Sequence, residues 1–370
     1  SFPTKPSKTV KSTHKTVIRP EADRSLSEFK RNIKRILSCG LVLNIVFTSV
    51  GVLSGCGELG GANDVPEYVL VYAENQSENY PTTRGAYKFA ELVGEKTNGK
   101  IKIVIKCNGE MGDEKSVVEQ LEFGGVDFSR VSVASISDNI PKLKVIQMPY
   151  LYSGELAMWT VLDGDIGKEF TQAIQESGYG IRALSWYDAG ARNFYSVKPL
   201  MSMSDLAGMN IRVQESEVMA KTIQLLGANP VKMIYSEVYM ALQTGKIDGA
   251  ENNWTSYEYS RHFEQAEYCL IDEHIRIPEV QLISEKTWNK FSDEQKDIIS
   301  QCAKESAIYE RDLWRMADEA AKRTVIDKGV TVTKVSDEER SYFREKLQPL
   351  YDEYCSDYMD IIEKIESIQE

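Results

Sequence analysis

The sequence predicts an α/β protein of two lobes with a cleft between them. Three observations carry that prediction. Strand-like and helix-like segments alternate from Asp64 onward, the 370 residues exceed one ordinary domain, and one helical segment near the end is too long for a single small lobe. With 42% hydrophobic and 27% charged residues, the composition is that of an ordinary globular chain.

The first stretch departs from that pattern. In "FKRNIKRILSCGLVLNIVFTSVGVLSGCG", Lys30, Arg31, Lys34 and Arg35 precede an uncharged apolar run over 36–52, interrupted by Asn44 and Gly51. A basic region followed by a short, broken apolar one is the pattern of a secretory signal rather than a membrane span. The run closes on Leu53, Ser54, Gly55 and Cys56, which resembles a bacterial lipobox, in which the cysteine is acylated and becomes the mature N-terminus. Residues 1–55 are therefore expected to be leader and lipoprotein signal, and 56–66 a tether. Residues 1–29, polar and without periodicity, are set aside from fold reasoning.

"EYVLVYAE" (67–74) reads as a strand. "TTRGAYKFAELVGEKTNG" reads as a helix with Ala86, Phe89, Ala90 and Val93 on one face, stopped by Asn98 and Gly99, and "IKIVIK" (101–106) as the next strand. Such a β-α-β unit implies parallel strands with a right-handed crossover. "SVVEQLEFGG" gives a helix ending at Gly124 and Gly125, and "VDFSRVSV" a strand. "GIRALSWYD" and "NIRVQES" are strands separated by a turn at Ser204 and Asp205. "SEVYMALQTG" is a short helix with Ser236 as N-cap and Gly245 just past its end, followed by the strand "KIDGAEN".

Ser292 to Gln295 reads as a capping box opening the long helix, in which Ile298, Cys302, Ser306, Tyr309, Leu313, Met316 and Ala320 form one face down to a stop at Gly329. About 35 residues at 1.5 Å each span roughly 50 Å, enough to cross both lobes.

Charge and composition exclude several functions. Ten Lys/Arg and three acids give residues 1–55 a net charge of +7, so the remainder carries −19 against −12 for the whole chain. Such a surface repels nucleic acid and anionic lipid, whereas a closed site for a small anion is governed by its local cations. Cys107, Cys269, Cys302 and Cys355 are scattered, so no zinc site is expected, and sequence alone cannot pair them. "GYGIRA" fits a dinucleotide pattern, but it precedes a strand instead of opening a helix. His262 and His274 carry no triad signature and are read as structural. No metal or cofactor is expected.

"SDLAGMNIRVQES", "LLGANPVKMIYSEVYMALQTGKIDGAENN" and "GEMGDEKSVVEQLEFGGVDFSRVS" together resemble the DctP-type solute receptors of tripartite ATP-independent periplasmic (TRAP) transporters. The likeness runs from about Glu67 to the end. It implies a periplasmic-binding-protein-like clamshell of two α/β lobes with crossing strands and a long helix spanning both. The division expected is 67–189 plus 277–317 for the first lobe and 190–276 plus 318–370 for the second. The resemblance further implies a monomeric, lipid-anchored, extracytoplasmic receptor that binds a carboxylate-bearing solute and passes it to a membrane permease.

The resemblance also assigns residues. Arg212, in "GMNIRV", matches the family's signature arginine. As Ile211 and Val213 flank it, an extended strand sends the two apolar side chains to one face and the guanidinium to the other. A guanidinium offers two parallel N–H bonds to one carboxylate, more directional than a lysine. Arg192 in "GARNFYS" matches a second arginine aimed at the same group, and Asn252 in "GAENN" an amide ligand; an asparagine there also suits turn backbone. The first lobe is expected to supply Glu74, Asn75 and Gln76 after the first strand, Glu114 at a helix start, and Arg130 with Ser132 on one strand face. The sialic-acid branch has an acidic residue where Ser132 stands. Trp186, Trp254, Tyr235 and Tyr257 offer ring faces for a sugar or for core packing.

The function expected is therefore a non-enzymatic receptor for a sugar acid, foremost a hexuronate such as glucuronate or galacturonate. A four-carbon dicarboxylate or keto acid is the alternative ligand, and an extracellular uronate-processing enzyme the alternative class.

Overall fold

The computed structural model describes residues 65–369. The leader, the signal segment, Cys56 and nearly all of the tether lie outside the described residues.

Eleven strands occur among the described residues: β1 (Tyr68–Ala73), β2 (Ile101–Lys106), β3 (Phe128–Ser132), β4 (Ile181–Tyr187), β5 (Arg192–Ser196), β6 (Asn210–Val213), β7 (Asn229–Lys232), β8 (Gly249–Asn252), β9 (Tyr268–Ile275), β10 (Glu279–Ser284) and β11 (Thr331–Lys334). They form two sheets, ordered β2-β1-β3-β10-β4 and β11-β9-β5-β8-β6-β7. β1, β2 and β3 are parallel, as the β-α-β pattern requires, while β10 runs antiparallel between β3 and β4. The chain passes from the first sheet to the second between β4 and β5, and returns between β9 and β10. These are the crossing strands of a two-lobed clamshell.

Local chemistry sets the elements that carry the site. Pro81 begins the helix Pro81–Lys96, where its missing N–H costs nothing, and Ala86, Phe89 and Val93 are buried on its inner face. Asp113 caps the helix Glu114–Phe123 by accepting the Ser116 N–H at 3.0 Å, which holds Glu114 in the first turn. Gly124 ends that helix in the left-handed conformation. Ser236 does not cap; a 3-10 turn over Tyr235–Glu237 leads into Val238–Gln243 instead.

The long helix is Asp293–Asp327, 35 residues opened by the Ser292–Gln295 capping box. It packs on Pro81–Lys96 beside the first sheet and on Trp254–Tyr259 beside the second. Its buried face is Ile299, Cys302, Ala303, Ser306, Ala307, Glu310, Trp314, Ala321 and Val325. The face read from the sequence shares Cys302 and Ser306 with this one but also includes Met316, which is exposed. Helix-on-helix contact here selects small residues: a Cβ added at Gly85 would meet Tyr187 at 2.7 Å and the Glu310 Cβ at 2.9 Å. The C-terminal helices bind back to earlier segments, through Tyr351 to the Pro149 carbonyl and Gln369 to the Leu151 carbonyl. All four cysteines of the described residues are buried free thiols.

Candidate functional site

A cavity of about 380 Å³ lies between the two sheets, within the range of small-molecule sites. Asn75, Gln76, Glu114, Arg130, Arg192, Arg212 and Asn252 line it; Glu74 and Ser132 do not. Hydrogen bonds cross from one side to the other, from Tyr80 Oη to Ser256 Oγ at 2.7 Å and from the Glu217 N–H to the Asp138 carboxylate at 3.1 Å.

Arg212 projects from β6 while Ile211 and Val213 enter the core, as strand alternation requires. Only 2% of it is exposed. Its Nε and Nη2 donate to the Met233 carbonyl at 3.0 and 2.8 Å, and no carboxylate among the described residues forms a salt bridge with it. Burial holds its pKa below the ordinary arginine value, against the pull of Glu251. The edge turned away from Met233, made of Nη1 and the outer N–H of Nη2, keeps the fork geometry a carboxylate needs. A buried cation without a counter-charge is costly unless an anion meets it.

Arg192 is different. Its Nε and Nη2 pair with the Glu251 carboxylate, and Nη2 also donates to the Glu251 carbonyl at 2.9 Å. Only Nη1 remains, so Arg192 is not a second open fork. Glu251 also lies 3.5 Å from His274 Nε2, and His274 Nδ1 lies 2.9 Å from Asp272. Burial opposes charge on His274, but Asp272 and Glu251 outweigh it and raise its pKa to about 9. Burial likewise acts to raise Glu251, yet Arg192 and His274 bring it below the usual glutamate value. Four buried charges alternate in sign and fix Arg192 in place.

Asn252 bonds turn backbone and also lines the cavity. Its Oδ1 accepts the Asn253 N–H at 2.9 Å, which leaves its NH2 without a side-chain or backbone acceptor among the described residues. Asn253 in turn caps Trp254–Tyr259.

On the first-lobe side Arg130 holds Glu74 through Nε and Nη2, Asn75 Oδ1 at 2.6 Å, and both Glu114 and Glu279 at 2.8 Å from Nη1. Glu74 therefore supports Arg130 from behind. Ser132 turns its N–H to Glu114 and its hydroxyl towards Gln214 of the facing lobe.

Sequence reading missed Glu279 and Glu251 as site residues. Glu279 reaches the cluster because β10 pairs it opposite Ser132, a long-range register that no local pattern announces. Of the proposed ring faces only Tyr235 lines the cavity. Trp186, Trp254 and Tyr257 are buried in the hydrophobic cores, where their area is better used.

Comparisons with known proteins give the family and the fold. Residues 72–357 match the family described as bacterial extracellular solute-binding protein, family 7 (DctP). The chain is similar to a TRAP periplasmic solute-binding protein from Pseudomonas putida F1 with bound D-glucuronate, at 32% identity and a TM-score of 0.80, covering 82% of this chain and 98% of that one. A TRAP periplasmic solute-binding protein from Xanthobacter autotrophicus Py2 with bound β-D-galacturonate gives 35% identity and a TM-score of 0.78, covering 80% and 99%. One from Sulfurospirillum deleyianum with bound succinate gives 26% identity and a TM-score of 0.77, covering 82% and 100%.

Proposed function

Since the chain belongs to bacterial extracellular solute-binding protein family 7, we propose that it is the extracytoplasmic receptor of a TRAP transporter and that its ligand is a hexuronate such as D-glucuronate or D-galacturonate. The observation that carries this reading is the buried Arg212 fork, facing the cavity between the sheets with no salt-bridged carboxylate among the described residues. The ligand carboxylate supplies that charge. Arg192 Nη1 and the Asn252 amide add donors beside it, while Asn75, Gln76 and Glu114 face the hydroxyls. Glu74, Arg130 and Ser132 position that second group. The relatives with bound D-glucuronate and β-D-galacturonate support the same choice.

The parts that close on the ligand are 67–189 with 277–317 and 190–276 with 318–370. The receptor acts as a monomer, held to the membrane by a lipid on Cys56, and hands its ligand unchanged to the permease.

A succinate-bound relative with the same fold favours a second reading, a four-carbon dicarboxylate. Thermal-shift and calorimetric titration over uronates and dicarboxylates separates the two. A ligand that binds only the folded state stabilises it by RT ln(1 + [L]/Kd), about 4 kcal/mol at a thousand times Kd. Stabilisation by glucuronate or galacturonate, recovered unaltered after denaturation, is expected. Stabilisation by succinate alone replaces the uronate reading, and chemically changed uronate replaces the receptor reading.

A further inference from the structure

The first-lobe side of the cavity holds more acid than its cation can neutralise. Arg130 Nη1 donates to both Glu114 and Glu279 at 2.8 Å, and the rest of its guanidinium engages Glu74. Three carboxylates thus share one positive charge, with their side chains at most 14% exposed. The groups facing Glu114 are Glu74 from the end of β1, Arg130 from β3, Glu279 from β10 and, across the cleft, Arg212 from β6; Asp113 and Lys115 flank it on its own segment. Arg192 brings no relief, because Glu251 already neutralises it. A sugar acid entering the cavity adds one more negative charge. Closely spaced carboxylates that outnumber their cations cannot all remain ionised.

Resting on the sugar-acid reading, we propose that Glu114 carries a proton in the complex, and that its carboxylic O–H donates to a hydroxyl oxygen of the ligand. Glu114 is the member of the trio suited to this. It stands at the cavity wall in the first turn of its helix, whereas Glu74 lies off the cavity and is held by Arg130 and the Gln76 N–H. Burial and the neighbouring Glu279 raise its pKa to about 8. The sign follows from that direction. Below about pH 8 the free receptor already holds the proton and binding takes up none. Above it the free carboxyl is ionised, so binding must draw a proton from solvent, and affinity falls about tenfold per pH unit as the competent fraction shrinks.

The test is calorimetric titration of the full chain with D-glucuronate at pH 6.5 and pH 9, each in two buffers of different ionisation heat. The expected result is binding about tenfold weaker at pH 9, with close to one proton taken up there and almost none at pH 6.5. Glu114→Gln cannot titrate, so its ratio of affinities between the two pH values is expected within about twofold. Equal affinity at both pH values with no buffer dependence overturns the proposal. So does a Glu114→Gln protein that keeps the parent's alkaline loss. If that variant does not fold, the proton count of the parent protein still decides. Should succinate bind and D-glucuronate not, the sugar-acid reading fails and the hydroxyl contact falls with it, since succinate has no hydroxyl, while the same two-buffer comparison with succinate decides whether Glu114 holds a proton in the complex.

Discussion

Arg212 binds the carbonyl oxygen of Met233 with two of its nitrogens, at 3.0 and 2.8 Å, and so presents its opposite edge to the cavity at a fixed angle. The strand β6 sets the position, and the start of the next connection sets the rotation. A guanidinium locked in this way loses little freedom when an anion arrives.

Replacing Arg212 tests that arrangement. Truncating one partner of a desolvated charge pair costs about 2 to 5 kcal/mol, so Arg212→Ala is expected to weaken uronate binding by roughly 30-fold to several thousand-fold. Arg212→Lys keeps the charge but not the fork and should fall between. Calorimetric titration measures both, and near-normal affinity in Arg212→Ala would remove Arg212 as the anchor.

The buried chain from Arg192 through Glu251 and His274 to Asp272 makes stability depend on pH. The folded state raises the His274 pKa from 6.5 to about 9. Its contribution is therefore fully present below pH 6.5 and lost as the pH rises through 9. Unfolding free energy should fall by about 3 kcal/mol across that window, and His274→Gln should flatten the fall. Denaturant titrations at pH 6.5, 8 and 9.5 check it. An equal slope in both proteins would place the titration elsewhere.

Removing one member of that chain leaves the others unpaired. Glu251→Ala should destabilise the protein by about 3 to 5 kcal/mol, because two buried cations lose their shared counter-charge. Glu251→Gln, which keeps the shape, should cost less. Thermal melts without ligand compare them, and an unchanged midpoint in Glu251→Ala would show that the network carries no stability.

The helix pair at the back of the cleft depends on Gly85. Gly85→Ala drives a methyl to within 2.7 Å of Tyr187 and 2.9 Å of Glu310. Overpacking of this kind costs about 1 to 3 kcal/mol, so the melting midpoint should drop by several degrees. A midpoint equal to the parent's would mean that the long helix shifts freely on its neighbour.

The proposed anchor is tested on membrane-extracted protein. Mass spectrometry should find an acylated N-terminal Cys56, and Cys56→Ala should release the protein from the membrane fraction. A different mature N-terminus, or retention of the variant, would remove the anchor.

Much of the architecture could be read from local pattern. β1, the helix after it and β2 show their periods plainly, and Arg212 is marked by its apolar neighbours. What escaped depends on distant pairing. β5 and β10 are buried along their whole length, so they lack the alternation that marks a half-exposed strand. β10 even carries Glu279 and Gln281 into the interior, which reads locally as a surface segment. The phase of the long helix slipped because its inner face carries alanines, a serine and Glu310 where an apolar stripe was sought. Arg192 was recognisable as a candidate, but its pairing with Glu251 follows from the antiparallel register of β5 and β8.

The position of β10 between β3 and β4 has a consequence for biosynthesis. Neither half of the first sheet can join the other until residues 279–284 have been made, by which time about three quarters of the 370-residue chain has emerged. The long helix, which packs on both lobes, comes later still. Contacts so distant along the chain form slowly. The first sheet of the nascent polypeptide therefore stays incomplete through most of its synthesis, an order that suits a chain of an extracytoplasmic family to crossing a membrane before it folds.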